Sequence, residues 1–283
     1  MPKRPPTEAV HQATRDIDRW TAERIVRAIH DEDRHAYAAV GEALPRIVEA
    51  AEVLGVVLAG GGRWFNVGAG TSGRLGAVDA AEIPPTFGMP PDRVQAVIAG
   101  GDRALVRAVE GAEDHPERAI FELRERGLHA GDAVVAISAS GTTPFTLGSL
   151  ELAHEVGART IAITCSEASP LAEAAEIPIV LRVGPEVIAG STRMKGGLAQ
   201  KMVLHLLSTT VMIRLGCVSG NLMTQLRPVS AKLRDRAVHI LMEIGRLDRA
   251  RAESLLAACD GDVSEATRRA QEALQRENVR TAR

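Results

Sequence analysis

The sequence predicts an α/β fold in which a five-stranded parallel sheet is covered by helices on both faces. Short runs rich in Val and Ile alternate with helix-length segments between Arg63 and Val183. This alternation is typical of parallel strands joined by crossover helices. The low aromatic content, 2%, suits aliphatic helices packed on such strands. The five runs are RWFNV, VQAVIA, AVVAIS, TIAIT and IPIVLRV.

Helical patterns flank the predicted sheet at both ends of the chain. Apolar residues recur at three- and four-residue spacing over 17–59 and again over 193–215, whereas the prolines among the first dozen residues predict a loose arm. After Pro228 no strand pattern remains, and Asp248 and Gly261 mark the start and stop of a helix in a small bundle. The expected parts are an N-terminal arm and helices over 1–53, the sheet domain over 54–219 and a C-terminal helical region over 220–283.

Charge and composition exclude several classes of protein. The 283 residues carry 34 Lys and Arg against 36 Asp and Glu, so no overall basic field attracts nucleic acid. The chain has neither a signal-peptide pattern nor an apolar run long enough to span a membrane. Its cysteines, Cys165, Cys217 and Cys259, form no CxxC pair. We expect a cytoplasmic protein without a membrane or nucleic-acid partner.

The histidines form no HExxH motif or other tight ligand group, so we expect no metal. His30 and His35 flank the acidic residues 31–33, a run that predicts a solvated helix surface. A GxSxG motif is absent, and Ser138 and Ser140 have no evident His partner. A serine hydrolase is therefore unsupported.

A glycine-rich loop follows the first predicted strand. Residues 68–73, GAGTSG, satisfy the GxGxxG pattern of dinucleotide-binding folds. The acidic residue expected about 20 positions later has no good candidate, because Asp102 lies too far along the chain. A dinucleotide site is the weaker alternative, and Gly70, Thr71 and Ser72 are candidates for binding a different phosphate.

Two further loops offer hydroxyl groups where predicted strands end. Ser138, Ser140 and Thr143 follow the third strand, and residues 190–195, GSTRMK, follow the fifth and open a long helix. Loops at the carboxyl ends of parallel strands converge near the point where open α/β sheets bind ligands. Backbone N–H groups and hydroxyls there suit a phosphate monoester. For each loop taken alone, the alternative to phosphate binding is that its hydroxyls only cap a helix. For residues 190–195, this alternative leaves the cations Arg193 and Lys195 solvated.

Two glutamates stand out by their surroundings in the sequence. Glu82 precedes Pro84 and Pro85, a pair that predicts the end of the helix begun at the glycine-rich loop. Glu113 lies in VEGAEDH, after the second predicted strand. Spacing alone favours a surface charge for each of them.

Six motifs give the chain a resemblance to a known family. GAGTSGRLGAVDAAEIPPTFG, IAGG, VEGAEDH, ISASGTTPF, GPEVIAGSTRMKGGLAQK and GNLM closely resemble, in order and spacing, motifs of the bacterial N-acetylmuramic acid 6-phosphate etherases. The match covers residues 17–226 well and the C-terminal part loosely. The resemblance implies a sugar isomerase (SIS) domain, a three-layer αβα fold that binds phosphorylated sugars, and a homodimer with shared active sites.

The resemblance also implies a reaction. The family removes the D-lactyl ether from C3 of N-acetylmuramic acid 6-phosphate, giving N-acetylglucosamine 6-phosphate and D-lactate in peptidoglycan recycling, without a cofactor. Glu82 corresponds to the acid that protonates the lactate oxygen, and Glu113 to the base at C2. The residues implied to bind the sugar phosphate are Gly70, Thr71, Ser72, Ser138, Ser140, Thr143, Ser191, Thr192 and Lys195.

Three positions depart from the family's pattern. Thr142 stands where the family commonly has Arg, Phe145 where it has Tyr, and Ile83 where it has Cys or another small residue. These changes bear on phosphate affinity, and they remove neither glutamate. Two alternatives on the same fold stay open: a sugar-phosphate isomerase, which a test for free D-lactate would separate, and a non-catalytic sugar-phosphate sensor like the glucokinase regulatory protein.

Overall fold

The computed structural model describes residues 5–226, 228 and 230–281 and contains one parallel sheet within them. Its strands lie in the order β2-β1-β3-β4-β5. The predicted α/β class with a five-stranded parallel sheet is confirmed, and each predicted strand coincides with an observed one. The strands are β1 Trp64–Gly68, β2 Val94–Ile98, β3 Ala133–Ile137, β4 Arg159–Thr164 and β5 Ile177–Val180.

Helices precede the sheet, connect its strands and follow it. The long first helix, α1 Ala22–Ala59, begins after Thr21, whose hydroxyl accepts a hydrogen bond from the N–H of Arg24 at 3.3 Å. It runs without a break through the predicted domain limit at residue 53. The helices that follow it are α2 Gly70–Phe87, α3 Arg103–Val106, α4 Pro116–Glu125, α5 Pro144–Val156, α6 Pro170–Ala174 and α7 Lys195–Arg214.

Two helical layers bury the sheet. On one face, Phe65 and Val134 pack in a buried cluster with residues of α4, α5 and α6. On the opposite face α2 passes so close to β1 that Nδ2 of Asn66 donates to the carbonyl of Gly76 at 3.2 Å. Because both faces are covered, consecutive strand residues are buried alike, which is why the strands are continuous apolar runs.

The chain divides into two compact units. One comprises the residues up to Ala80 together with Asp92–Val211, and it holds the sheet. The other comprises Ala81–Pro91 and the residues from Met212 onward, with an apolar core of its own. The helices of the second unit are α8 Ala231–Gly245, α9 Arg249–Ala258 and α10 Val263–Thr281. As predicted, the side chain of Asp248 caps the start of α9.

The turn from β1 into α2 depends on two glycines that touch through their backbones. A Cβ added at Gly68 would lie 2.7 Å from the amide nitrogen of Gly73. A Cβ added at Gly73 would lie 2.6 Å from both the carbonyl oxygen of Gly68 and Cγ1 of Ile98. Two glycines of the GAGTSG loop therefore serve the packing of helix on strand, whereas Gly70 has open space beside it.

We expect Gly73→Ala to lower the free energy of unfolding by about 1–3 kcal/mol, because the added methyl group forces α2 away from β1. Thermal unfolding followed by circular dichroism measures this effect. The matched control is Gly41→Ala in α1, where a Cβ meets nothing within 4 Å and a gain of about 0.5–1 kcal/mol is expected. Equal melting temperatures for the two variants would contradict the close contact.

Candidate functional site

The carboxyl ends of β1, β2 and β3 meet at one edge of the sheet. Gly68 pairs in register with Ile98 of β2 and with Ile137 of β3, so the loops after these strands start at the same level. With β1 between β2 and β3, the chain reverses direction across the sheet between β1 and β3. Open α/β sheets bind ligands at such a switch point, and the first two hydroxyl-bearing loops flank it here.

The loop after β3 gathers its hydroxyl groups. The Oγ atom of Ser138 lies 3.3 Å from Oγ of Ser140 and 2.9 Å from Oγ1 of Thr143. The backbone N–H groups of Gly141 and Thr142 donate to the hydroxyls of Ser138 and Ser140 at 3.1 and 3.2 Å. Hydroxyl and N–H donors packed this closely can bind the oxygens of a phosphate group without a basic side chain.

In the first loop, Ser72 is buried and already bonded to another helix. Its hydroxyl donates to Oε1 of Gln200 in α7 at 2.9 Å, and Gln200 is itself buried. Gly70 is exposed, and Thr71 is half-buried. The part of this loop open to a ligand is therefore the Gly70–Thr71 backbone, with the Ser72 hydroxyl held from behind by Gln200.

A buried carboxylate organises the third predicted segment. Glu186 accepts hydrogen bonds from the backbone N–H of Lys195 at 3.0 Å and of Gly196 at 2.8 Å, at the start of α7. Burial raises the pKa of Glu186, and the two N–H groups act in the opposite direction. The carboxylate thereby anchors the loop that carries the half-buried Ser191 and Thr192. Sequence reasoning missed Glu186, although an acidic residue before a helix start is a known stabilising signal.

A second carboxylate holds the amine of Lys195. Its Nζ atom lies 2.6 Å from Oε2 of Glu32, and the Lys195 side chain is only 2% exposed. Nε2 of His11 lies 3.3 Å from the same oxygen. The predicted solvated surface at residues 31–33 is wrong for Glu32, because a buried ammonium requires a counter-charge. Burial by itself raises the pKa of Glu32, but the hydrogen bond and charge of Lys195, with the charges of His11 and His35, lower it overall.

The N-terminal residues pack against the same segment. The N–H of Gly190 donates to the carbonyl of Thr7 at 3.0 Å, and the hydroxyl of Thr14 donates to the carbonyl of Val187 at 2.9 Å. Both threonines are buried. The predicted loose arm is therefore wrong from residue 5 onward, because hydrogen bonds to residues far along the chain hold it; Pro2 lies outside the described residues.

Glu113 lies in a small cavity beside the first loop. The cavity measures about 180 Å³, and its lining includes Gly70, Arg74, Glu110 and Glu113. Glu113 belongs to a short turn that follows Gly111, whose φ is +72°, and its side chain is exposed. Over the described residues, no hydrogen bond or ion pair holds the Glu113 carboxylate. The structure thus places Glu113 and Gly70 in the lining of one cavity where β1 ends.

Glu82 lies near the end of α2, with its side chain exposed. The prediction that the double proline ends this helix is wrong, since α2 continues to Phe87. Pro84 has no N–H to donate, but its carbonyl still accepts from the N–H of Gly88 at 3.0 Å. The helix ends instead at Gly88, whose φ of +68° is left-handed.

Sequence reasoning also missed Arg74 and Gln200. Both lie inside helices, away from the strand ends where binding residues were sought. Their one available signal was their place within the motifs GAGTSGR and STRMKGGLAQ, next to the predicted ligands. Contacts across the fold, and not the local pattern, bring them to the site.

Known proteins resemble this chain in family and in fold. The family model of the glucokinase regulatory protein N-terminal SIS domain matches residues 46–154, and that of the SIS domain matches residues 122–212. The solved phosphoheptose isomerase from Francisella tularensis is 20% identical with a TM-score of 0.54, covering 69% of this chain and 100% of that one. This likeness shows a shared fold.

Curated relatives decide the family. The N-acetylmuramic acid 6-phosphate etherase of Symbiobacterium thermophilum is 48% identical over 260 residues, which are 92% of this chain and 86% of the relative. The chain belongs to the N-acetylmuramic acid 6-phosphate etherase family. The etherase of Mycolicibacterium smegmatis is 45% identical over 255 residues, which are 90% of this chain and 86% of that relative. The family resemblance of the six sequence motifs is thereby confirmed.

In the part of this etherase-family chain that the structure describes, no helix is long and apolar enough to cross a membrane. The same residues contain no group of three or more His, Cys, Asp or Glu placed to hold a metal ion.

Cys165, Cys217 and Cys259 are buried free thiols. Burial, with the charge of Glu186, raises the pKa of Cys165 to about 12, which keeps this thiol unreactive.

We expect Glu32→Gln to lower the free energy of unfolding by on the order of 3 kcal/mol near neutral pH, because it leaves a buried ammonium without its counter-charge. The folded protein lowers the pKa of Glu32 below its ordinary value of 4.5. The ion pair therefore contributes fully above about pH 4.5 and progressively less as the pH falls through the lower, folded pKa.

Urea unfolding of the wild type and the variant over this pH range measures the difference. Glu23→Gln is the matched control on the same helix, because the partner of Glu23, Arg27, is solvent-exposed. A gap between wild type and Glu32→Gln that stays constant into acid would contradict the ion pair as its source.

Proposed function

We propose that this protein hydrolyses the D-lactyl ether of N-acetylmuramic acid 6-phosphate, giving N-acetylglucosamine 6-phosphate and D-lactate, a step of peptidoglycan recycling. The observation that carries the proposal is the 48% identity with an etherase over 92% of this chain. The cavity that holds Glu113 where β1 ends supports it.

We assign the phosphate of the sugar to the loop after β3. The joined hydroxyls of Ser138, Ser140 and Thr143 support this, because phosphate oxygens can replace the contacts these hydroxyls make with one another. Gly70, Thr71 and Ser72 would bind from the first loop, and Ser191 and Thr192 from the third. Lys195 stays a predicted ligand, since its ion pair with Glu32 uses only part of a three-donor ammonium.

We assign the chemistry to two carboxylates with opposite protonation. In the ring-opened sugar the C2 hydrogen lies next to an aldehyde, so an ionised Glu113 can remove it as a proton. A protonated Glu82 then delivers its proton to the ether oxygen, the C3–O bond breaks, and D-lactate leaves. Water, activated by Glu82, adds to C3 of the unsaturated aldehyde, and C2 regains a proton. One water is consumed, and the base and acid must differ in environment.

The deciding experiment mixes the purified protein with N-acetylmuramic acid 6-phosphate and assays free D-lactate. Release of lactate together with N-acetylglucosamine 6-phosphate supports the proposal. An isomerised sugar phosphate without lactate would identify an isomerase instead. Tight binding without any product would identify a sensor.

We also propose a homodimer and a cytoplasmic location, as the family resemblance implies. Light scattering coupled to size-exclusion chromatography tests the first: a mass near twice 30.1 kDa supports the dimer, and a mass of one chain overturns it.

Glu82→Gln should reduce lactate release by about 10²–10⁴-fold, because an amide cannot supply the proton to the ether oxygen. Binding of N-acetylglucosamine 6-phosphate, followed by calorimetry, should persist. Turnover equal to the wild type would remove Glu82 from the mechanism.

Glu113→Gln should stop exchange of the C2 hydrogen of N-acetylglucosamine 6-phosphate with deuterated solvent, because the carboxylate that removes it is gone. Proton NMR of the C2 signal follows the exchange. Asp114→Asn is the matched control, since it removes the neighbouring exposed carboxylate and should leave exchange intact. Continued exchange in Glu113→Gln would mean that another base acts at C2.

A further inference from the structure

The cavity that contains Glu113 also has a cationic side chain in its lining, which the proposed chemistry does not use. Small residues form most of its wall, where β1 and β2 end. Its charged lining residues are Glu110, Glu113 and Arg74, and Arg74 is the one cation among the described residues that line it. An anion entering this cavity would meet two carboxylates, and the side-chain charge that attracts it is that of Arg74.

The guanidinium of Arg74 is held in place by two backbone carbonyls, one of them from a residue that lines the cavity. Its Nε donates to the carbonyl of Ala104 at 2.9 Å, and its Nη2 donates to the carbonyl of Arg107 at 3.4 Å. Among the described residues, Nη1 makes no hydrogen bond, and no carboxylate forms an ion pair with Arg74. Arg74 therefore keeps its charge and unused N–H donors in a fixed position, which is how arginine binds carboxylates.

The proposed substrate carries a second anion besides its phosphate. The lactyl group has a carboxylate on the carbon that bears the ether oxygen, so this anion lies close to the bond that breaks. Glu113, which would act at the neighbouring C2, shares its cavity with Arg74. The catalytic carboxylates repel the lactyl carboxylate, because both are negatively charged. A positive group in the site would offset this repulsion.

We propose that Arg74 binds the lactyl carboxylate of the substrate and so selects a sugar phosphate with an acidic ether substituent. The inference rests on the proposed function and adds to it a residue that determines specificity. A charge-assisted contact between guanidinium and carboxylate orients the leaving group. Sugar phosphates without the acidic substituent gain nothing from this contact.

The test compares the natural substrate with an analogue whose lactyl carboxylate is a primary amide. For the wild type we expect kcat/KM to be about 10- to 100-fold higher with the acid than with the amide. This is the ratio expected from a hydrogen bond to a charged group. Arg74→Gln should bring the ratio of acid to amide close to one. Arg103→Gln removes an exposed cation from the same segment and is the control that should keep the wild-type ratio.

The ratio separates recognition from support of the fold. If Arg74 only braced the segment through the Ala104 and Arg107 carbonyls, Arg74→Gln would slow both substrates equally and leave the ratio unchanged, which overturns the proposal. A wild type that shows no preference for the acid overturns it without any variant, even if Arg74→Gln fails to fold. Failure of the wild type to release D-lactate would overturn the proposed function itself, a result distinct from an unchanged ratio in an active enzyme.

Discussion

Hydrogen bonding of β1 to strands on both of its sides is the interaction on which the site depends. β1 pairs with β2 and with β3, and all three strands end in register at Gly68, Ile98 and Ile137. A shift of one residue in either pairing would displace a loop by about 3.3 Å and turn that strand's side chains to the opposite face. The register therefore sets the first loop, the hydroxyl loop and the segment with Glu113 side by side.

Two positive groups near the sheet each have a carboxylate partner. Lys195 is neutralised by Glu32, and the start of α7 is neutralised by Glu186. The hydroxyl loop consists of neutral donors, which suits a chain whose net charge is −2. Arg74 differs from these groups, since backbone carbonyls fix its position without cancelling its charge. Under the proposed function, the neutral donors and the charge of Arg74 would contact two different anions of the substrate.

Local pattern predicted the strands and loops because it reports on burial and backbone freedom. Continuous apolar runs are required of strands covered on both faces, and all five were found in the sequence. The same local rules failed at Pro84 and Pro85, where they predicted that helix α2 ends. Pro84 and Pro85 lack N–H groups but keep their carbonyls, so α2 continues past them to Phe87.

The sequence by itself determined the α/β class, the family and the loops that carry hydroxyls, because these depend on residue type and spacing along the chain. Only the tertiary structure decided which glycines pack and which face open space, since GAGTSG shows the same residue at 68, 70 and 73. It also decided that Glu32 is an internal counter-charge and not a solvated one. Both outcomes depend on partners far away in sequence, such as Lys195, and local pattern holds no information on such contacts.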